Sequence, residues 1–398
     1  MTATENTTRA DTAPTRGVAT IVTAVGIMLV AANLRPAVVG VAPLIDEIGG
    51  DNGFSNAISG LLTTLPVLFF GLASPIAPRL AARFGIERTI FGALVTLVVA
   101  MVLRWIPDTI PLFAGSALIG AAIGICNVVL PALIKRDFAH RSGLMTGLYS
   151  MTLSGGAAFA AGVTAPVDAA LGGHWRITVN LWILLALVAM VVWIPQLTRM
   201  HTTTASPGGH LWRNRVAWAV TIFMGTQSLV FYTLSAWIPS YLMDVGYSRG
   251  AAGTTLALAQ IVALTASLVA PIIAGRFADQ RVVSFVVIGI SAVGLIGLVT
   301  THHWVVLWTM LTLIGPGASV SLALLFMVLR SSSTAQTGQV SGMAQFVGYT
   351  LAAVGPLAVG AIHDATDSWS IAFSVVGLAL VFQAAATTLA ARNVRMTP

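Results

Sequence analysis

This sequence carries very little charge. Asp, Glu, Lys and Arg make up only 8% of its 398 residues, whereas 57% are hydrophobic and the mean hydropathy is +0.89. A soluble chain of this length needs far more charge to cover its surface, so the composition excludes a soluble globular protein. The chain is therefore predicted to be an all-α polytopic membrane protein.

Cysteine and the usual enzyme motifs are scarce as well. The only cysteine, Cys126, lies inside a hydrophobic run, which excludes a disulfide framework. The sequence has no phosphate-binding glycine loop, nucleophile constellation or cluster of metal ligands, so we expect no enzyme, no cofactor and no metal. The net charge of +7 does not predict nucleic-acid binding, because the basic residues lie between hydrophobic runs and form no soluble patch.

What the sequence does contain is a series of hydrophobic runs long enough to cross a bilayer as helices. They follow one another with short connections. The sequence predicts twelve such spans, at residues 17–45, 55–77, 88–106, 110–134, 143–166, 175–195, 214–237, 250–274, 282–301, 304–329, 340–362 and 370–391.

The two halves of the chain resemble each other. Leu118-Ile119-Gly120 recurs as Leu313-Ile314-Gly315, and Tyr149 recurs as Tyr349, at offsets of 195 and 200. Two pseudo-symmetric six-helix bundles with a solute site between them are therefore expected. The predicted units are a disordered cytoplasmic tail (1–16), a first bundle (17–195), a cytoplasmic linker (196–213), a second bundle (214–391) and a C-terminal cytoplasmic tail (392–398).

The basic residues predict the orientation of the spans. With the N-terminus inside, sixteen of the twenty Lys and Arg residues fall on the cytoplasmic side, and only Arg104, Arg176 and Arg249 fall on the outer side. Cytoplasmic loops carry such an excess of positive charge. Both termini are therefore predicted to be cytoplasmic.

One charge lies deep inside a span. Arg35 is near the centre of residues 17–45 and is followed by Pro36, which removes a helix donor and frees a carbonyl. An ionisable residue at this depth normally faces a protein-lined or water-filled path. The fork of donors on Arg35 suits carboxylate, nitro or cyanate-type acceptors, although the side chain could instead bond to a neighbouring helix.

Acidic residues are missing from the interior of every predicted span. Asp46 and Glu47 are expected roughly 16–18 Å from Arg35 along the same helix, beyond its reach. Because an unpaired buried cation is strongly disfavoured, carbonyls near Pro36, Asn33 or the solute are predicted to supply its acceptors. The missing acids also argue against the proton relay that many transporters build from membrane-embedded carboxylates, although Asp46, Glu47 or His363 could substitute for them.

Two loops carry a family resemblance. The sequence from Gly275 to Arg281, GRFADQR, resembles the cytoplasmic signature of the major facilitator superfamily, and Trp175-Arg176 before the sixth span is similar to a further common feature. The corresponding loop between the second and third spans keeps Arg83-Phe84-Gly85 but has Pro78 and Ala82 where the pattern has Gly and Asp. The resemblance covers essentially the whole chain and implies the two-bundle fold.

Two further stretches resemble the cyanate/nitroimidazole permease family. They are Asn33-Leu34-Arg35-Pro36 in the first span and the sequence from Leu130 to Phe138, LPALIKRDF, at the end of the fourth. The superfamily fold then implies that other polar residues surround a central cavity, although interhelical hydrogen bonding is the alternative explanation for each. The predicted substrate-binding residues are Asn33, Arg35, Asn127, Tyr149, Gln227, Tyr232, Gln260, Gln345 and Tyr349. Tyr149 and Tyr349 are expected to clamp a small flat solute.

Together these features predict an alternating-access transporter in the inner (cytoplasmic) membrane of a bacterium. Its partners would be the lipid bilayer and a small polar solute, preferably an anion of cyanate, nitro or carboxylate type, and we expect a monomer. Arg276, Asp279 and Arg281 are predicted to hold the cytoplasmic end closed, unless they are simply solvated. The alternatives are an efflux pump for neutral or cationic drugs such as nitroimidazoles, or a membrane receptor, which the lack of a large loop disfavours.

Overall fold

The structure, a computed structural model, describes residues 13–198, 211–301 and 303–396. Within these ranges the chain forms helices and no β-strand. The predicted tails (1–16 and 392–398) and the predicted linker (196–213) lie partly outside the described residues.

The first half of the chain contains long helices and several short helical pieces. In chain order they are α1 (Ala13–Asn33), α2 (Pro36–Val39), α3 (Ile45–Asn52), α4 (Asn56–Ala73), α5 (Ala77–Phe84), α6 (Ile86–Arg104), α7 (Thr109–Asp137), α8 (Ser142–Ala170), α9 (Trp175–Asn180) and α10 (Ile183–Trp193).

The second half repeats the long helices with fewer interruptions. Its helices are α11 (Arg215–Asp244), α12 (Arg249–Ala274), α13 (Arg281–Thr300), α14 (Val305–Arg330), α15 (Thr334–Thr366), α16 (Trp369–Ala372) and α17 (Ser374–Ala390). Short polar side chains begin several of them: Asn214, Ser248 and Ser333 each accept a hydrogen bond from a backbone N–H in the first turn.

The long helices agree with the predicted spans. In the described part of the chain, ten segments are long and apolar enough to cross a membrane, and α4 with α5 makes an eleventh if this pair, bent by 56°, is one span. The 29-residue α8 occupies the place of the predicted fifth span (143–166). α8 is not among these segments because its mean hydropathy is lower, since glycine, alanine, serine and threonine make up much of it.

The first span is not one continuous helix. α1 ends at Asn33, the chain turns at Leu34 and Arg35, and α2 starts at Pro36. Because proline has no N–H to donate, it ends the first helix and can begin the next. The expectation that Glu47 lies on the same helix as Arg35 is therefore wrong, since α2 and a further turn of 3-10 helix at Ala42–Leu44 separate them.

A matching hydrogen bond in each half reflects the internal repeat. Trp175 Nε1 donates to Asp51 Oδ2 over 2.7 Å, and Trp369 Nε1 donates to Asp244 Oδ2 over 2.8 Å. The first bond joins α9 to the end of α3, and the second joins α16 to the end of α11. Each bond thus fastens the first span of a half to the start of its last span.

The two halves touch closely at one face of the molecule. We call this the terminal face, because it holds Met396, whose N–H donates to Arg330 at the end of α14. There a Cβ built on Gly143 of α8 would lie 2.5 Å from the Pro271 carbonyl oxygen of α12, and one on Gly342 of α15 would lie 2.8 Å from that of Ser74. Since real Cβ atoms do not approach so closely, only glycine permits these contacts.

The same helices have open space further along. A Cβ built on Gly155 or Gly162 of α8, or on Gly253 of α12, would meet no atom within 4 Å. These glycines lie toward the face opposite the terminal face. The halves therefore pack backbone to backbone at the terminal face, and these three positions show no such contact.

The two tryptophan bonds predict unequal losses of stability. Trp175 is only 3% exposed, whereas Trp369 is partly exposed and its bond lies at the surface. We expect Trp175→Phe to lower the free energy of unfolding by about 1–2 kcal/mol, because the buried indole loses a bond to a charged acceptor at a partly buried site. Trp369→Phe should cost less, because water can replace an exposed bond. Thermal unfolding of the purified variants checks the order, and a larger loss for Trp369→Phe would contradict it.

The glycine contacts predict a second pair of outcomes. Gly143→Ala should open the terminal face, because the added methyl group cannot fit against Pro271. Gly155→Ala adds the same methyl to the same helix where space is open, and it should leave the structure unchanged. Distances between spin labels on α5 and on the first turn of α15 measure the opening. Equal distance distributions in both variants would refute the role of the Gly143 contact.

Candidate functional site

Arg35 reaches from the first half of the chain to the second. Its Nη1 donates to the Tyr232 hydroxyl over 3.4 Å, and its Nη2 donates to the Tyr349 hydroxyl over 3.3 Å. Tyr232 lies on α11 and Tyr349 on α15. The guanidinium therefore lies where the two halves meet, and Arg35 as a whole residue is partly exposed.

The surroundings of Arg35 are aromatic and uncharged. The Phe70 ring of α4 lies 5.6 Å from the guanidinium carbon and packs against the Tyr349 ring at a centroid distance of 5.7 Å. Among the described residues, no carboxylate comes within ion-pair distance of Arg35. The two bonds to the phenols are longer than the 2.7–2.9 Å that is usual for charge-assisted bonds. Arg35 is thus a weakly bonded cation in an apolar setting.

A second polar network lies next to this cation. The Tyr149 hydroxyl donates to Asn127 Oδ1 over 3.1 Å, and Gln345 Nε2 donates to the Asn127 carbonyl oxygen over 2.8 Å. Because Asn127 belongs to α7 and Gln345 to α15, the second bond also joins the two halves. Gln345 is one helical turn before Tyr349, so the two networks share one face of α15.

The second network is buried beneath the partly exposed Arg35 and Tyr232. Asn127, Tyr149 and Gln345 are each 3% exposed or less. The side-chain nitrogen of Asn127 is buried without a hydrogen-bond partner in the described structure. A buried donor left unpaired is costly, so a bond to this nitrogen would be favourable once an acceptor could reach it.

The combined site is rich in donors. Arg35 has five N–H groups and engages two nitrogens weakly, while each phenol that accepts from it keeps its own proton to donate. Asn127 adds an unpaired amide nitrogen. Such a set binds a solute that carries acceptor oxygens or nitrogens, and the positive charge favours a negative one.

Three predicted residues lie apart from Arg35. The Asn33 amide nitrogen donates to the Leu29 and Leu185 carbonyls, which turns this side chain toward α10. Gln227 bonds within its own helix to Met224 and Ser228. Gln260 Nε2 donates to Ser235 Oγ over 3.3 Å, between α12 and α11.

The predicted gating residues form a local pair. Arg281 Nη2 lies 2.8 Å from Asp279 Oδ2, and both side chains are more than a third exposed. The bonds from Arg281 hold the pKa of Asp279 below its usual range, so the pair persists to lower pH than an ordinary carboxylate would allow. Arg276 is exposed and has no ion-pair partner in the described ranges. A role of these residues in closing the terminal face stays a prediction.

Phe70 is the site residue that sequence reasoning missed. It is fully buried, and it supports both the guanidinium and the Tyr349 ring. Its sequence neighbourhood, Leu68-Phe69-Phe70-Gly71, is an ordinary apolar run. No sequence signal distinguishes it from the other fifteen phenylalanines, because its role depends on contacts between helices.

Comparison with known proteins agrees with this architecture. Residues 18–356 match the family model of the Major Facilitator Superfamily. The chain is 40% identical over 367 residues to the 2-nitroimidazole transporter of Escherichia coli, covering 91% of this chain and 92% of that protein. It is 29% identical over 366 residues to the cyanate transport protein CynX of the same organism, covering 89% and 94% of the two chains.

The fold is also similar to a solved transporter. The fucose:proton symporter FucP of E. coli superimposes with a TM-score of 0.73 at 12% identity, covering 94% of this chain and 99% of that one. The family model and the two relatives confirm the resemblance noted in the loops and in the first and fourth spans, over about 90% of the chain for the relatives. This chain belongs to the major facilitator superfamily of membrane transporters.

Proposed function

We propose that this transporter carries a small, flat anion and that Arg35 binds it between the two halves. The observation that carries the proposal is the partly exposed guanidinium, which donates only to neutral phenols and has no carboxylate nearby among the described residues. A cation held only by neutral partners is unfavourable in an apolar setting, so an anion that completes its hydrogen bonds would bind favourably there.

The aromatic groups favour a flat solute. Phe70 and Tyr349 present rings beside the guanidinium, and Tyr232 closes another side. The planar fork of Arg35 matches a carboxylate, nitro or cyanate-type acceptor, whereas it repels a cation. The prediction that Tyr149 and Tyr349 form the clamp is modified here: Tyr349 and Tyr232 contact Arg35, and Tyr149 supports Asn127 beneath them.

A neutral nitroheterocycle is the second candidate solute. The relative with 40% identity is named a 2-nitroimidazole transporter, and nitro oxygens accept hydrogen bonds from a guanidinium without carrying a net charge. The donor-rich site suits this solute as well. The two candidates differ in whether transport moves charge.

Alternating access follows from the way in which the halves meet. The glycine contacts at the terminal face, together with the space at Gly155 and Gly253, support a state that is open opposite that face. The excess of basic residues near the terminal face supports the placement of this face on the cytoplasmic side of a bacterial inner membrane. Both termini would then lie in the cytoplasm. The solute would then reach Arg35 from outside, and separation of the glycine contacts would release it inward.

The membrane potential constrains this function. Moving one negative charge inward against about 100 mV costs about 2.3 kcal/mol. Accumulation of an anion therefore requires a co-transported cation, an exchanged anion or consumption in the cell, whereas a neutral solute requires none of these.

Uptake with an imposed potential tests the solute class. In proteoliposomes of the purified protein, we expect saturable uptake of cyanate or benzoate that rises when the interior is made positive, because the anion carries charge. If 2-nitroimidazole is taken up at a rate that does not depend on the membrane potential, and neither anion is taken up, the second candidate is favoured. No saturable uptake of any of the three would contradict both.

Substitution of Arg35 tests the binding role. Arg35→Lys keeps the charge but loses the planar fork, so we expect the solute KM to rise roughly tenfold or more while folded protein still reaches the membrane. Arg35→Ala should abolish uptake. Arg213→Lys makes the same change at an exposed arginine and serves as the control. Normal uptake by Arg35→Ala would disprove the role.

A further inference from the structure

A second arginine is buried in the first half without a carboxylate partner. Arg104, the last residue of α6, is only 1% exposed, although the charge pattern predicts that it lies with the outer loop residues. Its Nη1 donates to the Ala37 carbonyl oxygen over 2.8 Å, and its Nε and Nη2 donate to Ser116 Oγ over 3.1 and 2.9 Å. Burying a cation without a carboxylate partner is energetically costly. The side of the membrane on which Arg104 lies does not by itself explain why this residue is buried.

The carbonyl that Arg104 binds is left open by the break in the first span. In the short helix α2, the Gly40 N–H donates to Pro36 and the Val41 N–H donates to Val38. The Ala37 carbonyl would normally accept from Val41, so the shift in the bonding pattern leaves it without that partner. Arg104 supplies the missing donor.

The same short helix begins at Arg35. The Arg35 carbonyl accepts from the N–H groups of Val38 and Val39 over 3.0 and 2.9 Å, which makes Arg35 the cap of α2. Ala37 and Arg35 therefore belong to one hydrogen-bonded turn. A hydrogen bond to the Ala37 carbonyl fixes the position of that turn along its axis and its rotation about the axis. It thereby fixes the backbone position from which the Arg35 side chain extends.

The neighbouring helix is shaped to receive Arg104. Ser116 donates its own proton to the Leu112 carbonyl over 2.8 Å, which leaves its oxygen to accept from Arg104. A Cβ on Gly115 would lie 2.9 Å from Arg104 Cγ and 2.6 Å from the Ala100 carbonyl oxygen. α7 thus offers both the acceptor and the space that this side chain requires.

We infer that Arg104 is a positioning residue for Arg35: through the Ala37 carbonyl it holds α2 so that the Arg35 guanidinium points at the solute site. This inference rests on the proposed function for its link to transport, and on the hydrogen bonds of α2 for its link to Arg35. The competing explanation is a purely structural anchor between α6, α7 and α2.

A double-mutant cycle separates these explanations. With benzoate as the probe in proteoliposomes, Arg104→Lys should raise the KM roughly tenfold and change the maximal rate little, because lysine lacks the rigid fork whose separate nitrogens meet Ala37 and Ser116. In an Arg35→Lys background, the same change should have little further effect on KM, because the two residues act on one interaction. Ser116→Ala, which keeps Arg104 but removes an acceptor, should shift the KM in the same direction by less.

Arg330 provides the matched control. This residue of the second half is 2% exposed, and it donates to the Ala390 and Ala391 carbonyls over 2.9 Å each and to Gln280, all within its own half. Arg330→Lys removes a comparable set of bonds, yet we expect its effect on KM to be the same with and without Arg35→Lys. If the effect of Arg104→Lys is equally independent of Arg35, the positioning role is refuted and Arg104 is an anchor.

A labelling experiment tests the geometry without any solute. In a Cys126→Ser background, the variant Arg35→Cys should react with the anionic, membrane-impermeant thiol reagent 2-sulfonatoethyl methanethiosulfonate. Arg104→Lys should change that rate several-fold, and Arg330→Lys should leave it unchanged. Equal labelling rates for Arg35→Cys alone, with Arg104→Lys and with Arg330→Lys would overturn the positioning role even if Arg35 binds the solute. A changed rate with normal uptake by Arg35→Ala would refute the proposed function alone.

Discussion

The structure depends on a cation placed in the membrane interior without a counter-ion. The Arg35 guanidinium donates to two phenols of the opposite half, and in the described chain no carboxylate balances its charge. Such a group is tolerated in hydrocarbon only where protein donors and acceptors or water surround it. The break before Pro36, the aromatic wall at Phe70 and the junction of the halves all provide that environment.

The proposed binding role of Arg35 would also couple solute binding to the arrangement of the halves. Arg35 comes from the first half, whereas both of its phenol partners come from the second. An acceptor that takes over these hydrogen bonds changes an interaction between the halves as well as filling a site. Beneath it, the bond from Gln345 to the Asn127 carbonyl joins the same halves. Occupancy and conformation therefore depend on one set of atoms, which is the condition for differential binding to two states.

Much of this could be predicted from the sequence. Hydropathy located the long helices, and the lone charge at residue 35 predicted a candidate site, because both signals depend on the cost of polarity in lipid. The exact partners could not be predicted. Asn33 is two residues from Arg35, yet it ends α1 and its side chain points toward Leu185. The side chain of Gln227 forms its hydrogen bond to Ser228 within α11.

Burial was the other limit of sequence reasoning. Arg104 lies at a helix end, where basic residues usually face water, and its burial arises from acceptors on α2 and α7 that no local pattern reveals. Phe70 is likewise an unremarkable residue of an apolar run. Both roles are products of contacts between helices distant in sequence. Periodicity reports which residues are apolar, but it does not report which helices will meet.

The glycine contacts at the terminal face have a consequence for how the transporter responds to its surroundings. Gly143 meets the Pro271 backbone and Gly342 meets the Ser74 backbone, so closure there depends on van der Waals fit between neutral atoms. Ionic screening acts on charges and leaves such contacts unchanged. Hydrostatic pressure acts on packing volume instead. The glycine contacts are thus the part of the terminal face that salt leaves unchanged and on which pressure acts through packing volume.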